Sequence, residues 1–176
     1  PEVPILDGSS LPFVRGLINA GRVRLGAPMQ AIEILEQVGV SNDDAYASIE
    51  PANAMIVQFH IDFSDKAIGQ QNKELVLSNG AFARELCDSR TFRRQRDVDA
   101  MRANGLAMGG TLRNAVVFEG ENILSPGGLR HKDEPVRHKM LDAVGDLALV
   151  GAPILGKYVG YKAGHAMTNT LLRELF

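Results

Sequence analysis

The sequence is poor in several features that would each define a class of protein. It has one cysteine, Cys87, so no internal disulfide can form, which favours a reducing compartment. Its 19 basic and 21 acidic residues leave a net charge of -2, too small to favour binding to nucleic acid or to a membrane surface. No apolar run approaches the ~20 residues of a membrane span, and no signal-peptide pattern opens the chain. We therefore predict a cytoplasmic protein with no stable membrane insertion and no nucleic-acid partner.

The first residues indicate that the chain begins inside a folding unit. Residue 1 is a proline rather than a methionine, and residues 3–6 predict a strand already in progress. A helix is predicted from Leu11 to Ala20, capped by Ser9 or Ser10, and a connector follows around residues 22–30. We interpret residues 1–26 as the last strand and helix of a truncated first domain, and residues 27–176 as a complete second domain.

The order of the predicted elements favours an α+β fold with a sheet layer and a helix layer. Strands are predicted at residues 31–38, 54–63, 73–78, 114–120, 122–128 and 157–164, and helices at 78–90, 93–104, 133–150 and 165–176, with a turn at 40–45. Strands and helices are segregated rather than strictly alternating, which argues against a parallel doubly wound sheet.

One predicted helix carries polar residues in an unusual row. Pro135 suits its first turn, Glu134 or Asp133 can cap it, and His138, Asp142 and Asp146 recur at intervals of four. Residues four apart on a helix lie ~40° apart around its axis, so all three share one face.

A histidine and an aspartate one turn apart on a rigid helix can both reach one metal ion. Zinc accepts an imidazole nitrogen and a carboxylate oxygen at ~2.0–2.2 Å, which suits His138 and Asp142. The alternative is that these groups face water and form local pairs, as most such helical patterns do. Asp146 lies one turn further and can orient a second imidazole, for which His165, at a predicted helix start, is the candidate general acid.

Several motifs together resemble a known family. These are "SRTF", "GLAMGG", "GLRHKDEPVRHKMLDAVGDL" and "KAGHAMTN", in that order, with "PILDGSSLPFV" near the start. They resemble the bacterial UDP-3-O-acyl-N-acetylglucosamine deacetylases, zinc amidases of lipid A biosynthesis, across essentially the whole chain. The resemblance implies an α+β fold of two similar domains with the active site between them.

The resemblance also implies roles for particular residues in the metal site and the reaction. His138 and Asp142 match two of three protein ligands of a catalytic Zn2+, and Thr91 matches a hydroxyl beside the metal. His165 matches the acid that protonates the leaving amine, and Asp146 matches the carboxylate that orients it.

Three further matches imply contacts to a UDP-linked acylated glucosamine. Lys139 matches a residue near the reacting carbonyl and the phosphates, Phe92 a contact to the acyl chain, and Lys162 a contact to the nucleotide. "TFRRQRD" departs from the family in carrying Arg93 and Arg94 where less charged residues are usual, and this leaves the detail of the acyl passage open.

The family's third zinc ligand and general base come from a Glu-His pair in the first domain. None of the four histidines here, His60, His131, His138 and His165, follows a glutamate. We therefore expect this chain alone to hold a partial metal site, to bind zinc weakly and to turn over little or no substrate until the missing segment completes the site. The alternatives are a non-catalytic nucleotide-sugar-binding module of the same fold and a hydrolase with another substrate.

Overall fold

The computed structural model describes residues 3–78 and 80–176. Its helices are α1 (Leu11–Asn19), α2 (Gln95–Ala103), α3 (Glu134–Leu147) and α4 (His165–Glu174), with a π-helical turn at Phe82–Leu86 and a 3-10 turn at Ala148–Val150. Its strands are β1 (Ile32–Glu33), β2 (Val38–Asn42), β3 (Ala45–Glu50), β4 (Met55–Asp62), β5 (Gln70–Val76), β6 (Phe92–Arg94), β7 (Val116–Glu119), β8 (Asn122–Ile123) and β9 (Ile154–Tyr161).

The larger sheet is built around β9 and β4. Its order is β2-β3-β9-β4-β5, with β1 pairing in parallel with β9. β4 and β9 run parallel, and the other neighbours on this path run antiparallel. The predicted alternation of β4 is confirmed, since Val57, Phe59 and Ile61 are buried while the residues between them are half-buried. This alternation sets one face of the sheet toward the core.

Helices α3 and α4 cover the buried face of that sheet. The largest fully buried side chains include Tyr158, Phe59, Ile49, Met140 and Leu171, which come from both layers. Gly160 of β9 leaves room for the Phe59 ring of the neighbouring strand β4, because a Cβ there would lie 2.7 Å from that ring. The predicted α+β arrangement of a sheet layer and a helix layer is confirmed.

A smaller sheet of β6, β7 and β8 lies beside α2. The predicted hairpin is confirmed, with β7 and β8 antiparallel around Gly120 and Glu121. β6 was not predicted, because its three residues are too few to show alternation; it pairs in parallel with β7. Phe118 of β7 is fully buried, so this sheet shares the core.

The predicted strand at residues 3–6 is wrong for the residues that the structure describes. Residues 3–5 have no regular structure, and Leu6 lies in a turn with φ 49°. Val3 and Leu6 are exposed and pair with no strand, and a strand without a partner leaves its backbone groups unsatisfied. Residues 1 and 2 of the predicted first-domain tail lie outside the described residues. Helix α1 is confirmed, with no buried residue, and residues 21–31 form an exposed connector.

Three other element predictions need correction. The helix predicted at 78–90 is a π-helical turn of Phe82–Leu86, and residue 79 of the predicted span lies outside the described residues. The turn predicted at 40–45 contracts to Asp43 and Asp44, because β2 and β3 continue the sheet on both sides. The strand predicted at 31–38 is divided between β1 and the start of β2. None of the helices among the described residues is long and apolar enough to span a bilayer.

Candidate active site

The polar ridge of α3 has four members rather than three. Glu134, His138, Asp142 and Asp146 follow one another at intervals of four along Glu134–Leu147. The opposite stripe of the helix, which includes Val136, Met140 and Leu147, is buried in the core. Because the apolar stripe anchors the helix on the sheet, the polar ridge has a fixed direction.

His138 and Asp142 have the spacing of two ligands on one metal ion. His138 Nε2 lies 3.4 Å from Asp142 Oδ1. Two ligand atoms ~2.0–2.2 Å from a tetrahedral zinc ion are separated by about 3.3–3.6 Å. The pair therefore fits a shared zinc ion without rearrangement of the helix.

The environment of His138 favours a neutral imidazole with Nε2 open. Its Nδ1 lies 3.0 Å from the Ser89 carbonyl oxygen, which can only accept, so Nδ1 carries the proton. Burial lowers the pKa of His138, and this effect outweighs the opposing attraction of the Asp142 carboxylate. A neutral imidazole with one free nitrogen is the form that binds metal.

The described residues supply two such ligands but not a complete set. No group of three or more His, Cys, Asp or Glu side chains in residues 3–78 and 80–176 is arranged to hold a metal ion. A structural zinc site uses four protein ligands and a catalytic one uses three. A catalytic site built on this pair therefore needs a further ligand from elsewhere.

The second imidazole stands next to this pair. His165 Nδ1 lies 2.9 Å from Asp146 Oδ2, and His165 Nε2 lies 4.0 Å from Asp142 Oδ2. Gly164 occupies the N-cap position of α4 in an extended conformation, so His165 is the first residue of that helix. Two-thirds of the His165 side chain is exposed, so a substrate can reach Nε2.

Two lysines line a cleft of about 530 Å³ beside the ridge. Lys139 Nζ lies 3.4 Å from Asp142 Oδ2 and 5.6 Å from the centre of the Phe59 ring. Lys162, at the other wall, lies 2.6 Å from Asp44 and 3.3 Å from Asp62. The hydrogen bond to Asp44 raises the pKa of Lys162 above its usual range, so the ammonium stays charged.

Phe92 contacts His138, and Thr91 lines a separate apolar cavity. The Phe92 ring is buried and meets the imidazole edge-on, with centres 6.3 Å apart. Thr91 lines an apolar cavity of about 480 Å³ whose walls include Val98, Met101 and Leu124. The structure thus places Thr91 in the wall of this cavity and the Phe92 ring against the imidazole of His138.

Comparisons with known proteins assign the chain to a family. A model of the family described as UDP-3-O-acyl N-acetylglycosamine deacetylase matches residues 1–176. The chain belongs to this deacetylase family. It is 51% identical over 175 residues to the UDP-3-O-acyl-N-acetylglucosamine deacetylase of Phenylobacterium zucineum, 47% identical over 176 to that of Psychrobacter cryohalolentis, and 44% identical over 177 to that of a Shewanella strain.

The alignment to these deacetylases covers almost the whole chain but only part of each relative. In all three cases it spans 99% of this chain, against 60%, 55% and 58% of the relative. The chain thus corresponds to between half and two-thirds of the length of these deacetylases.

Sequence reasoning missed the role of Glu134 in this member of the family. It was assigned as a possible cap, but Glu134 is buried and paired with Arg90 at 2.9 Å. Asp133 holds the N-cap position without a side-chain capping bond, and its carboxylate pairs with Arg137 at 2.7 Å and Lys73 at 3.2 Å. The four-residue interval between Glu134 and His138 is the feature of the sequence that could have placed Glu134 on the same helix face.

The two remaining histidines of this family member have other partners. His60 Nε2 lies 3.1 Å from the Gln58 side-chain nitrogen on the half-buried face of the sheet. His131 Nε2 lies 2.9 Å from Asp88 Oδ2, in the loop before α3. Each is held by a nearby polar side chain, and the structure brings neither into the His138–Asp142 pair.

Proposed function

We propose that this chain is part of a zinc-dependent hydrolase that removes the N-acetyl group from a UDP-linked, 3-O-acylated glucosamine in lipid A biosynthesis. The observation that carries this proposal is the 3.4 Å separation of His138 Nε2 and Asp142 Oδ1, with the His165–Asp146 pair one turn further along. The names of the curated relatives supply the reaction and the substrate.

His138 and Asp142 are the residues that would hold the metal. Zinc bound there would act as a Lewis acid toward the amide carbonyl and would activate water as the nucleophile near pH 7. The neutral state of His138 and the fixed tautomer leave its Nε2 available for this bond.

His165 would hold the proton that the leaving amine takes up. Asp146 accepts the hydrogen bond from Nδ1, so Nε2 of the protonated ring is the atom that donates. That atom lies 4.0 Å from Asp142 Oδ2, so it would stand beside an amide bond bound at the metal. Positioned acids of this kind contribute ~10²–10⁴-fold to a rate.

Lys139 and Thr91 would stabilise the charge that develops on the carbonyl oxygen. Donors held in place before the reaction are the most effective, because they need no reorganisation. Lys139 is held by Asp142 and by the Phe59 ring, and the backbone of Thr91 is bonded to Gly8 and to Val116.

The cleft beside the ridge and the apolar cavity at Thr91 suit the two ends of the substrate. Lys139 and Lys162 in the cleft can pair with the phosphates of a nucleoside diphosphate. The apolar cavity next to Thr91 can bury part of an acyl chain. Phe92 would pack against the His138 ring and so help to hold it in place.

We also propose that the third ligand and the general base come from a Glu-His pair in a first domain, of which residues 1–26 are the end. Helix α1 supports this, since it buries no residue and exposes Leu17 and Ile18. An apolar helix face without a partner in the described residues suits a cover supplied by further protein. Without that segment the chain would bind zinc weakly and turn over little substrate.

The same proposal includes a location in the cytoplasm. Cys87 is buried and free, and its thiol donates to the Ala83 carbonyl oxygen, so it needs no oxidising environment.

A non-catalytic nucleotide-sugar-binding module is the second candidate, because the described residues hold no complete ligand set. The deciding experiment measures zinc content and deacetylation of UDP-3-O-acyl-N-acetylglucosamine for the 176-residue chain, with and without the first-domain segment of a relative fused ahead of it. We expect activity only in the longer form. Full activity of the chain alone would contradict the need for the pair, and binding without zinc or turnover in both forms would favour the module.

A further inference from the structure

The peptide unit between Ser89 and Arg90 is held at both ends by α3. Its N–H, on Arg90, donates to Glu134 Oε1 at 3.0 Å. Its carbonyl oxygen, on Ser89, accepts a hydrogen bond from His138 Nδ1, also at 3.0 Å. Glu134 and His138 stand one turn apart, so a single peptide connects a buried carboxylate to the imidazole that faces Asp142.

The Glu134 carboxylate is fully engaged. Its Oε1 accepts from the Arg90 backbone N–H and from Arg90 Nε at 2.9 Å, while Oε2 accepts from Arg90 Nη2 at 3.0 Å and from the Arg130 N–H at 2.6 Å. Only 1% of Glu134 is exposed. A buried charge is stable when it is paired and hydrogen-bonded, and here rotation of the carboxylate would break four bonds at once.

Because the peptide is planar, the fixed position of the Glu134 carboxylate also fixes the direction of the Ser89 carbonyl group. The N–H and C=O of a trans peptide point in opposite directions, so holding the N–H on Glu134 sets the direction of the carbonyl. Ser89 is fully buried, which prevents its carbonyl from turning toward water. The imidazole of His138 therefore meets an acceptor whose position is set one turn earlier on the same helix.

Glu134 affects the His138 imidazole through the direction of the Ser89 carbonyl group rather than through its own negative charge. The Arg90 guanidinium lies directly against the Glu134 carboxylate, and the two opposite charges largely offset each other beyond their immediate neighbourhood. A hydrogen bond whose direction is fixed keeps its effect whatever the net charge of the pair.

We infer that Glu134 is a positioning residue for His138 that acts through the Ser89–Arg90 peptide, keeping the imidazole proton on Nδ1 and Nε2 open toward Asp142. The consequence for metal binding rests on the proposed function, whereas the hydrogen-bonded connection does not. One helix then carries both candidate ligands and the residue that orients one of them.

The connection can be tested without metal or substrate. Nitrogen-15 NMR of the protein in its longest natural form, metal-free at neutral pH, reports which ring nitrogen of His138 carries the proton. We expect the Nδ1–H tautomer and an Arg90 amide proton among the slowest to exchange with solvent. A proton on Nε2, or exchange of the Arg90 amide as fast as that of an exposed loop, would overturn the inference.

A matched pair of variants tests the consequence. In Glu134→Gln one amide oxygen cannot satisfy four donors, so we expect zinc affinity, measured by chelator competition, to weaken about tenfold, as for other residues that orient a ligand. Arg90→Lys weakens the same ion pair but keeps the peptide and Glu134, and we expect less than a twofold change.

Equal losses in both variants, or no loss in a folded Glu134→Gln variant, would refute the inference. If Glu134→Gln does not fold, the tautomer of the unaltered protein decides. If the unaltered protein binds no zinc, the proposed function fails while the NMR result still judges the connection.

Discussion

Lys162 Nζ lies 2.6 Å from Asp44 Oδ2, which belongs to the two-residue turn between β2 and β3. Lys162 itself has φ 52°, a left-handed conformation that costs energy for a residue with a Cβ. Asp62 holds the same ammonium from the other side at 3.3 Å. The cation is thus positioned by Asp62 even when the more exposed Asp44 moves away.

Lys162 and Asp44 are expected to affect nucleotide binding in opposite directions. A phosphate approaching Lys162 is attracted by the ammonium and repelled by Asp44, so Lys162→Ala should weaken UDP binding and Asp44→Asn should strengthen it. Because the site is exposed, each change should be about twofold to fivefold and should shrink with salt. Calorimetric titration with UDP measures both; weaker binding by Asp44→Asn would mean that Asp44 is needed to orient the lysine.

His138→Ala is expected to abolish zinc binding by the complete protein. It removes one of the two candidate ligands, and Asp142→Ala removes the other. His131→Ala is the control, because that imidazole pairs with Asp88. Metal content after dialysis distinguishes them, and loss of zinc in the His131 variant alone would place the metal elsewhere.

His165→Gln should lower kcat by about 10²–10⁴-fold, because it removes a positioned acid. Zinc content should stay unchanged, since His165 Nε2 lies 4.0 Å from Asp142 and does not share its candidate role. Asp146→Asn should give a smaller loss and an altered pH profile, because the ring keeps its place but loses the carboxylate. Unchanged kcat in both variants would remove this pair from the mechanism.

Glu134 is expected to stabilise the protein near neutral pH and to lose this contribution in acid. Burial alone would raise the pKa of its carboxyl, but hydrogen bonds from Arg90 and Arg130 outweigh burial and lower it. A carboxyl with a lowered folded pKa stabilises the protein above the ordinary glutamate value of about 4.3, and this stability is lost as the pH falls through the lowered value.

Urea unfolding between pH 2 and pH 6 measures that contribution. Glu134→Gln should lower stability at pH 6 and flatten its decline in acid. Asp133→Asn should have a smaller effect, because that side chain is about one-third exposed although its pKa is also lowered. If the stability of the Glu134 variant declines in acid as steeply as that of the unaltered protein, the pH dependence comes from other carboxyl groups.

Met140→Ala should destabilise the protein by about 2–5 kcal/mol, because the side chain is fully buried between α3 and the sheet. Met29→Ala, at an exposed position of the connector, should change stability by less than about 0.5 kcal/mol. Denaturant midpoints compare the two directly, and similar values would mean that α3 is not packed as described.

The sequence predicted those parts of the fold that depend on local periodicity. The alternation of β4 and the four-residue interval on α3 are set by backbone geometry, so they were correct without knowledge of the partners. The strand at residues 3–6 failed because its apolar residues meet no neighbouring strand. β3 and β6 were missed because pairing with β9 and β7, rather than their own pattern, makes them strands.

The sequence by itself determined that His138, Asp142 and Asp146 share one helix face, because residues four apart on any α-helix must do so. Only the tertiary structure decided that Glu134, in the same row, is a buried partner of Arg90, and that the Ser89 carbonyl oxygen accepts a hydrogen bond from His138 Nδ1. These contacts join residues 44 and 49 positions apart. No local pattern specifies such pairs, because they form only when the core has brought the segments together.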